Sequence, residues 1–140
     1  MSVVETASAE QTEALGAQLA SRLRAGDVVL LTGELGSGKT TLVRGIARAL
    51  GVSGPVTSPT FTIGQRYAGD RIVVSHIDLY RLGALAAEEP GLLEDYLGGG
   101  EIALVEWPQD AAGELPLATV SVTLAHGGGD RRRVEVEDLH

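Results

Sequence analysis

Cysteine is absent from this chain, and lysine occurs once among eleven basic residues. Without cysteine there are no disulfides, no thiolate zinc sites and no cysteine nucleophile. Aromatic residues make up 4% of the chain, so the core is expected to be aliphatic. No window approaches the ~20 apolar residues of a membrane span. The N-terminal stretch MSVVETASAEQ has neither a basic segment nor a long apolar run, so no signal peptide is expected, and a cytoplasmic protein is. Positive charge is scarce as well: nineteen acidic residues against eleven basic ones leave a formal charge of −8. Such a chain has no broad positive field to hold a phosphate backbone. Nucleic acid, if involved, is expected to be held by a partner. The length of 140 residues suits one domain, residues 1–140, with one sizeable core.

Hydrophobic periodicity then orders the elements. SAEQTEALGAQLASRLRAG reads as a helix. Ser8 and Gln11 have capping-box spacing, Leu15, Leu19 and Leu23 share a face, and Gly26 is placed to end it. Val28–Thr32 is a continuous apolar run, suited to a strand buried on both faces. TTLVRGIARAL predicts a helix stopped by Gly51. GVSGPVTSPT is a loop. FTIGQRY and RIVVSHID predict a hairpin around Ala68, Gly69 and Asp70. ALAAEEPGLLEDYL predicts a helix broken near Pro90, with Gly98–Gly100 as a joint, and EIALVEW is a second buried strand. ATVSVTLA and RRRVEVE predict a terminal antiparallel hairpin. No internal repeat and no domain-scale linker is visible. This order predicts an α/β, three-layer fold of the P-loop NTPase kind, with a central mixed sheet, parallel core strands and a C-terminal antiparallel hairpin.

The solitary lysine, Lys39, lies in Gly33-Glu34-Leu35-Gly36-Ser37-Gly38-Lys39-Thr40. This stretch fits G-x-x-x-x-G-K-[ST], and each position has a physical task. Glycines allow positive φ, so successive N–H groups can turn inward and form a nest for phosphate oxygens. The following helix presents its N–H groups and positive dipole end to the same oxygens. Lysine puts a compact point charge on the β- and γ-phosphates, where the planar arginine fork does not fit. Thr40 offers a hydroxyl to Mg²⁺, which prefers oxygen ligands. Roughly one chain in a hundred of this length would match by chance at average glycine usage. The buried-strand pattern before the loop and the helical pattern after it set this match apart from a ligand-free glycine turn.

In such sheets ligands bind beyond the carboxyl ends of the strands. IALVE ends in Glu106, an acidic residue where a second nucleotide motif carries its metal-side carboxylate; the bland reading is an ordinary charged strand end. IVVSHID places His76 and Asp78 on one face at another strand end. Asp78 could hold a metal-bound water, orient the attacking one, or simply cap a helix. His76 reads as a core or hinge histidine. Thr57, Ser58, Thr60 and Thr62 around Pro59 lie where loops that order on γ-phosphate lie, or form a plain turn. Trp107 is the sole tryptophan, by default a packing residue and otherwise a partner-facing anchor. Arg131, Arg132 and Arg133 are either a solvated strand end or a contact to nucleotide or partner.

GELGSGKTTLVRG, SPTF, HIDLYRL and LVEWP, in this order and spacing, resemble TsaE, also called YjeE, a family of small bacterial P-loop ATPases. The resemblance spans Ser8 to Pro116. It implies an ATP-binding, ATP-hydrolysing, Mg²⁺-dependent protein required for threonylcarbamoyladenosine in tRNA. It implies a complex with TsaD and TsaB, in which TsaD carries the transfer chemistry and tRNA touches this chain only indirectly. It makes Lys39 the phosphate lysine and Thr40 the Mg²⁺ ligand, with Thr41 a further ATP-site position. Asp78, Glu106 and Trp107 match the H-x-D-L-Y-R and V-E-W positions, with Lys39, Asp78 and Glu106 as the catalytic set and Glu106 also at the metal. Glu34, Leu35, Gly36, Ser37 and Gly38 form the cradle. Ser8 to Thr12 resembles the N-terminal edge of the pocket, and Arg132 lies near where the family closes it. One departure is Glu94, which stands where family members often carry an arginine.

Two other readings use the same loop. A small-molecule kinase needs an acceptor pocket and arginine-bearing lid segments, and ALAAEEPGLLEDYL holds no basic residue. A nucleotide sensor needs binding without turnover.

Overall fold

Two strands, Val28–Gly33 and Ile102–Glu106, form where apolar residues run without interruption, and their ends carry the polar groups. The computed structural model describes residues 2–33, 37–56, 64–78, 100–106 and 118–138. In chain order these contain β1 (Ser2–Thr6), α1 (Ala9–Ala20), β2 (Val28–Gly33), α2 (Lys39–Ala49), β3 (Gly64–Ala68), β4 (Val73–Asp78), β5 (Ile102–Glu106), β6 (Val120–His126) and β7 (Arg132–Asp138). The sheet order is β1-β7-β6-β2-β5-β4-β3. β6, β2, β5 and β4 are mutually parallel at the centre. β1, β7 and β3 add antiparallel margins. The expected α/β mixed sheet with parallel core strands and a terminal hairpin is thus the observed one.

Every residue of β2 and β5 is buried, as strands covered on both faces require. Val29 and Leu31 of β2 and Ile102 and Leu104 of β5 join Leu42, Val43 and Ile46 of α2 and Leu15 and Leu19 of α1 in one cluster. Each fully buried Leu or Ile contributes about 1.5–3 kcal/mol over its exposed state. α1 and α2 approach at backbone distance. A Cβ on Gly16 would lie 2.9 Å from the Ile46 nitrogen, and one on Gly45 would lie 2.8 Å from the Glu13 carbonyl carbon.

α2 ends as expected. Gly51, at φ +93°, donates to Arg48 O at 3.1 Å, and Val52 donates to Ala47 O at 3.0 Å, the paired bonds of a Schellman stop. α1 ends earlier than expected, at Ala20 with Ser21 as its cap. The residues that follow make short-range turns, Arg22 N to Leu19 O and Leu23 N to Ala20 O. The Asp27 side chain accepts from Arg24 N at 2.7 Å, so Gly26 closes a turn rather than the helix. The hairpin between β3 and β4 turns over Gly69–Ile72, closed by Gly69 N to Ile72 O at 2.8 Å. β1 was not expected: it pairs with β7 through Val4↔Val134 and Thr6↔Arg132. The expected helix over 84–97, Gly98, Gly99 and the hydroxyl loop with Thr57, Ser58, Thr60 and Thr62 lie outside the described residues. Among the described residues, no helix is long and apolar enough to cross a membrane.

Candidate functional site

β2 runs straight into the glycine loop, and its last residue shows why glycine is needed there. A Cβ on Gly33 would stand 2.6 Å from Leu124 O of β6 and 2.6 Å from Ser37 Oγ. β6 lies beside β2 at this point, in the register Gly33↔Leu124. Gly38, at φ +101°, begins α2 with no side-chain cap. Its own carbonyl accepts from Leu42 N at 2.9 Å. Glu34, Leu35 and Gly36 lie outside the described residues.

Lys39 follows at the first position of α2 and is 7% exposed. Its Nζ donates to Gly33 O at 2.5 Å, so the side chain reaches back across the loop to the loop's first residue. A buried ammonium is costly unless it is hydrogen-bonded, and this carbonyl supplies a bond. Ser37 is buried, and its Oγ makes no hydrogen bond among the described residues. Thr40 and Thr41 are half-buried in the same turn.

Arg132, at the start of β7, lies over this turn. A Cβ on Gly38 would be 3.6 Å from both Arg132 Cγ and Nε. Its Nη1 donates to Gly129 O and Arg131 O, each at 2.7 Å. A cleft of about 350 Å³ adjoins it, between Glu5, Thr6 and Ala7 on one side and Gly127, Arg131, Arg132 and Arg133 on the other. The three arginines differ: Arg131 is exposed, Arg132 abuts the loop, and Arg133 reaches Glu135 at 3.4 Å. Ser8 does not line this cleft. Its Oγ accepts from Gln11 N at 3.1 Å while Gln11 Oε1 accepts from Ala7 N at 2.7 Å. The serine oxygen is committed to the cap of α1.

The acidic residues close neighbouring strands, β4 and β5. Glu106 closes β5, with Leu31 of β2 on one side and Asp78 of β4 on the other. Its carboxylate Oε2 is 2.8 Å from His76 Nε2, and the two side chains are 6% and 0% exposed. The structure therefore brings together Ser37, Gly38, Lys39, Thr40, Thr41 and Arg132, sets Asp78 and Glu106 on adjacent strand ends, and assigns Ser8 to a helix cap. Trp107 lies outside the described residues. His76, read from the sequence as a core or hinge residue, is a partner of Glu106. Its signal was a histidine two residues before Asp78 in an otherwise apolar strand.

The residue set fits a phosphate-bearing ligand: a loop entrance at Gly33 too tight for a Cβ, a buried ammonium, a buried hydroxyl without a partner among the described residues, and a helix start with no side-chain cap. Among the described residues no group of three His, Asp or Glu side chains forms a metal cage. A cation here would take one or two protein oxygens and complete its shell with phosphate and water, as Mg²⁺ does.

The profile of the family described as "Threonylcarbamoyl adenosine biosynthesis protein TsaE" matches residues 6–134. The chain belongs to the TsaE family. It is 36% identical over 129 residues to the tRNA threonylcarbamoyladenosine biosynthesis protein TsaE of Bacillus subtilis, covering 92% of this chain and 80% of the relative. It is 42% identical over 118 residues to the TsaE of Streptomyces coelicolor, covering 83% and 80%. Against the TsaE of a Nostoc species it is 38% identical over 140 residues, covering 97% and 85%. The crystal structure of Bacillus subtilis YdiB superposes with a TM-score of 0.79 at 28% identity, over 99% of this chain and 86% of that one. The TsaE profile thus takes in β1's last residue, the glycine loop, both acidic strand ends and Arg132, all within one P-loop fold.

Proposed function

We propose that this chain binds ATP with Mg²⁺ and hydrolyses it as the nucleotide-driven subunit of the cytoplasmic machinery that makes threonylcarbamoyladenosine in tRNA, in complex with TsaD and TsaB. The observation that carries this reading is Lys39, buried and drawn across the glycine loop onto Gly33 O. TsaE-family membership supplies the pathway. The charge of −8 argues that tRNA is held by the partner subunits rather than by this surface.

Bound nucleotide and its cation supply the phosphoryl group and the charge that neutralises the leaving oxygens. The chain's own part is positioning. Backbone N–H groups of the glycine loop cradle the phosphates. Lys39 moves its ammonium from one backbone carbonyl to the β- and γ-phosphate oxygens, an exchange of one buried acceptor for stronger, charged ones. The Thr40 hydroxyl would hold the cation, and Thr41 would support the same turn. Glu106 serves the cation, directly or through its water. Asp78, the neighbour of Glu106 in register, is our candidate for orienting the attacking water. Arg132, lying over Gly38, closes the pocket on the nucleotide's phosphate or adenine side.

ATP turnover by the pure chain, alone and with TsaD and TsaB, tests the reading. Slow hydrolysis that rises with the partners is expected. Glu106→Ala should lower hydrolysis at least 10²-fold, the range of a lost proton-transfer or charge-placing group, with a smaller loss of binding. Unchanged hydrolysis in that variant removes Glu106 from the metal side. Phosphate on a small acceptor would make the chain a kinase, and binding without turnover in any mixture would make it a sensor.

A further inference from the structure

The contact between His76 and Glu106 is not needed to complete either strand. His76 Nε2 lies 2.8 Å from Glu106 Oε2, with the histidine side chain fully buried and the glutamate 6% exposed. In register His76 stands opposite Leu104, so it reaches Glu106 along the diagonal of a parallel pair. Placing an ionisable pair here takes a carboxylate out of water, and well-packed apolar residues of similar volume would serve stability at least as well. The rest of that face bears this out: Val74, Ile102 and Leu104, nearer the strands' starts, are apolar and buried.

The second ring nitrogen says how the pair is used. His76 Nδ1 is buried and makes no hydrogen bond among the described residues. A histidine kept for the core would have both nitrogens satisfied. With nothing to accept a proton from Nδ1, the proton belongs on Nε2, and the hydrogen bond runs from Nε2–H to the carboxylate. That bond occupies Oε2 and removes the carboxylate's freedom to rotate. Oε1 is left as the oxygen without that bond.

We propose that His76 is a positioning residue: its Nε2–H clamps one oxygen of Glu106, so that Glu106 presents a single, oriented oxygen to the nucleotide's cation or that cation's water. This rests on the reading of Glu106 as the metal-side carboxylate. Partners of this kind orient metal ligands in many sites, and their loss typically lowers metal affinity or activity 10–100-fold.

Two measurements test it. Calorimetry of ATP binding, in EDTA and across a Mg²⁺ series, is run on the parent, His76→Leu and His76→Gln. The leucine removes the donor at similar bulk, whereas glutamine restores an N–H near the position of Nε2. His76→Leu should bind ATP in EDTA within about twofold of the parent, yet need about 10–100-fold more Mg²⁺ for the same gain in affinity. His76→Gln should recover most of that loss. A leucine variant with the parent's Mg²⁺ response, or a glutamine variant as impaired as the leucine one, overturns the proposal. A parent whose ATP binding ignores Mg²⁺ overturns the metal reading and the proposal together, which separates the two failures. The second measurement uses ¹⁵N-histidine NMR on the native chain, which has only His76, His126 and His140 to assign. The proton of His76 should sit on Nε2, and its shift should move in Glu106→Ala. A proton on Nδ1, or a signal indifferent to Glu106→Ala, overturns the proposal without recourse to ATP.

Discussion

The two helices α1 and α2 pack against each other at backbone distance, yet they begin in opposite ways. α1 is closed by its own sequence. Ser8, in extended conformation at φ −152°, accepts from Gln11 N, Gln11 returns a bond to Ala7 N, and Glu10 adds negative charge in the first turn. Each device satisfies or complements the positive end of the helix. α2 has none of them. It starts on Gly38 at φ +101° with no side-chain cap and no acid in its first turn, and its first residue is the cation Lys39. A cation at the positive end of a helix works against the dipole. A local rule broken this plainly, next to one kept in full, marks the start of α2 as shaped for a ligand that brings the missing negative charge.

The largest expected effect tests the open end. Lys39→Ala should cut ATP affinity more than about 100-fold, close to 2.8 kcal/mol, because it removes the buried ammonium at the start of α2. It should not cost α2 its intrinsic stability, since alanine is the better helix former and relieves the clash with the dipole. Calorimetry with ATP, paired with urea unfolding of the free chain, reads both. Retained affinity would mean that the glycine loop holds nucleotide through its backbone alone.

Next in size is a change aimed at what the two helices share. Gly45→Ala would put a Cβ 2.8 Å from the Glu13 carbonyl carbon and 3.0 Å from its Cα, and only backbone movement relieves that. A loss of about 1–3 kcal/mol is expected, the usual cost of overpacking, read as a lower urea midpoint at unchanged slope. Folded Gly45→Ala should bind ATP within a few-fold of the parent. A large selective loss of ATP affinity would show instead that α1 and the loop are mechanically coupled.

How much of this was legible depends on how local the signal was. β2 and β5 could be read because each is a continuous apolar run, expected among parallel core strands; that they pair with each other came from the structure. The end of α2 could be read because Gly51 is needed at positive φ. The end of α1 could not: Leu23 continues the four-residue spacing past Ala20, and the turn shows only in the bonds from Arg22 N to Leu19 O, Leu23 N to Ala20 O and Arg24 N to Asp27. β1 carries two valines among polar residues and exists by pairing with β7, over a hundred residues away. In the site, Lys39 and Glu106 were legible because a motif and a strand end each point to them. The clamp of His76 on Glu106 was not, since it depends on the register between β4 and β5. Ser8 was legible twice, as a cap by its spacing and as a pocket edge by resemblance, and the structure gives its oxygen to the cap.

That double reading makes Ser8→Ala the finest test of the contrast. If Ser8 serves only α1, its loss should destabilise the chain by about 1 kcal/mol, within the 0.5–2 kcal/mol range for caps, and Ser8→Asp should restore most of that. ATP affinity should stay within about twofold, because Ser8 Oγ is engaged by Gln11 N at 3.1 Å and lies outside the cleft between Thr6 and Arg132. Urea midpoints and ATP titrations on the two variants separate the roles. A loss of affinity beyond about tenfold at normal stability would mean that Ser8 gives up Gln11 when nucleotide arrives, and that the start of α1, closed in the free chain, opens in the bound one.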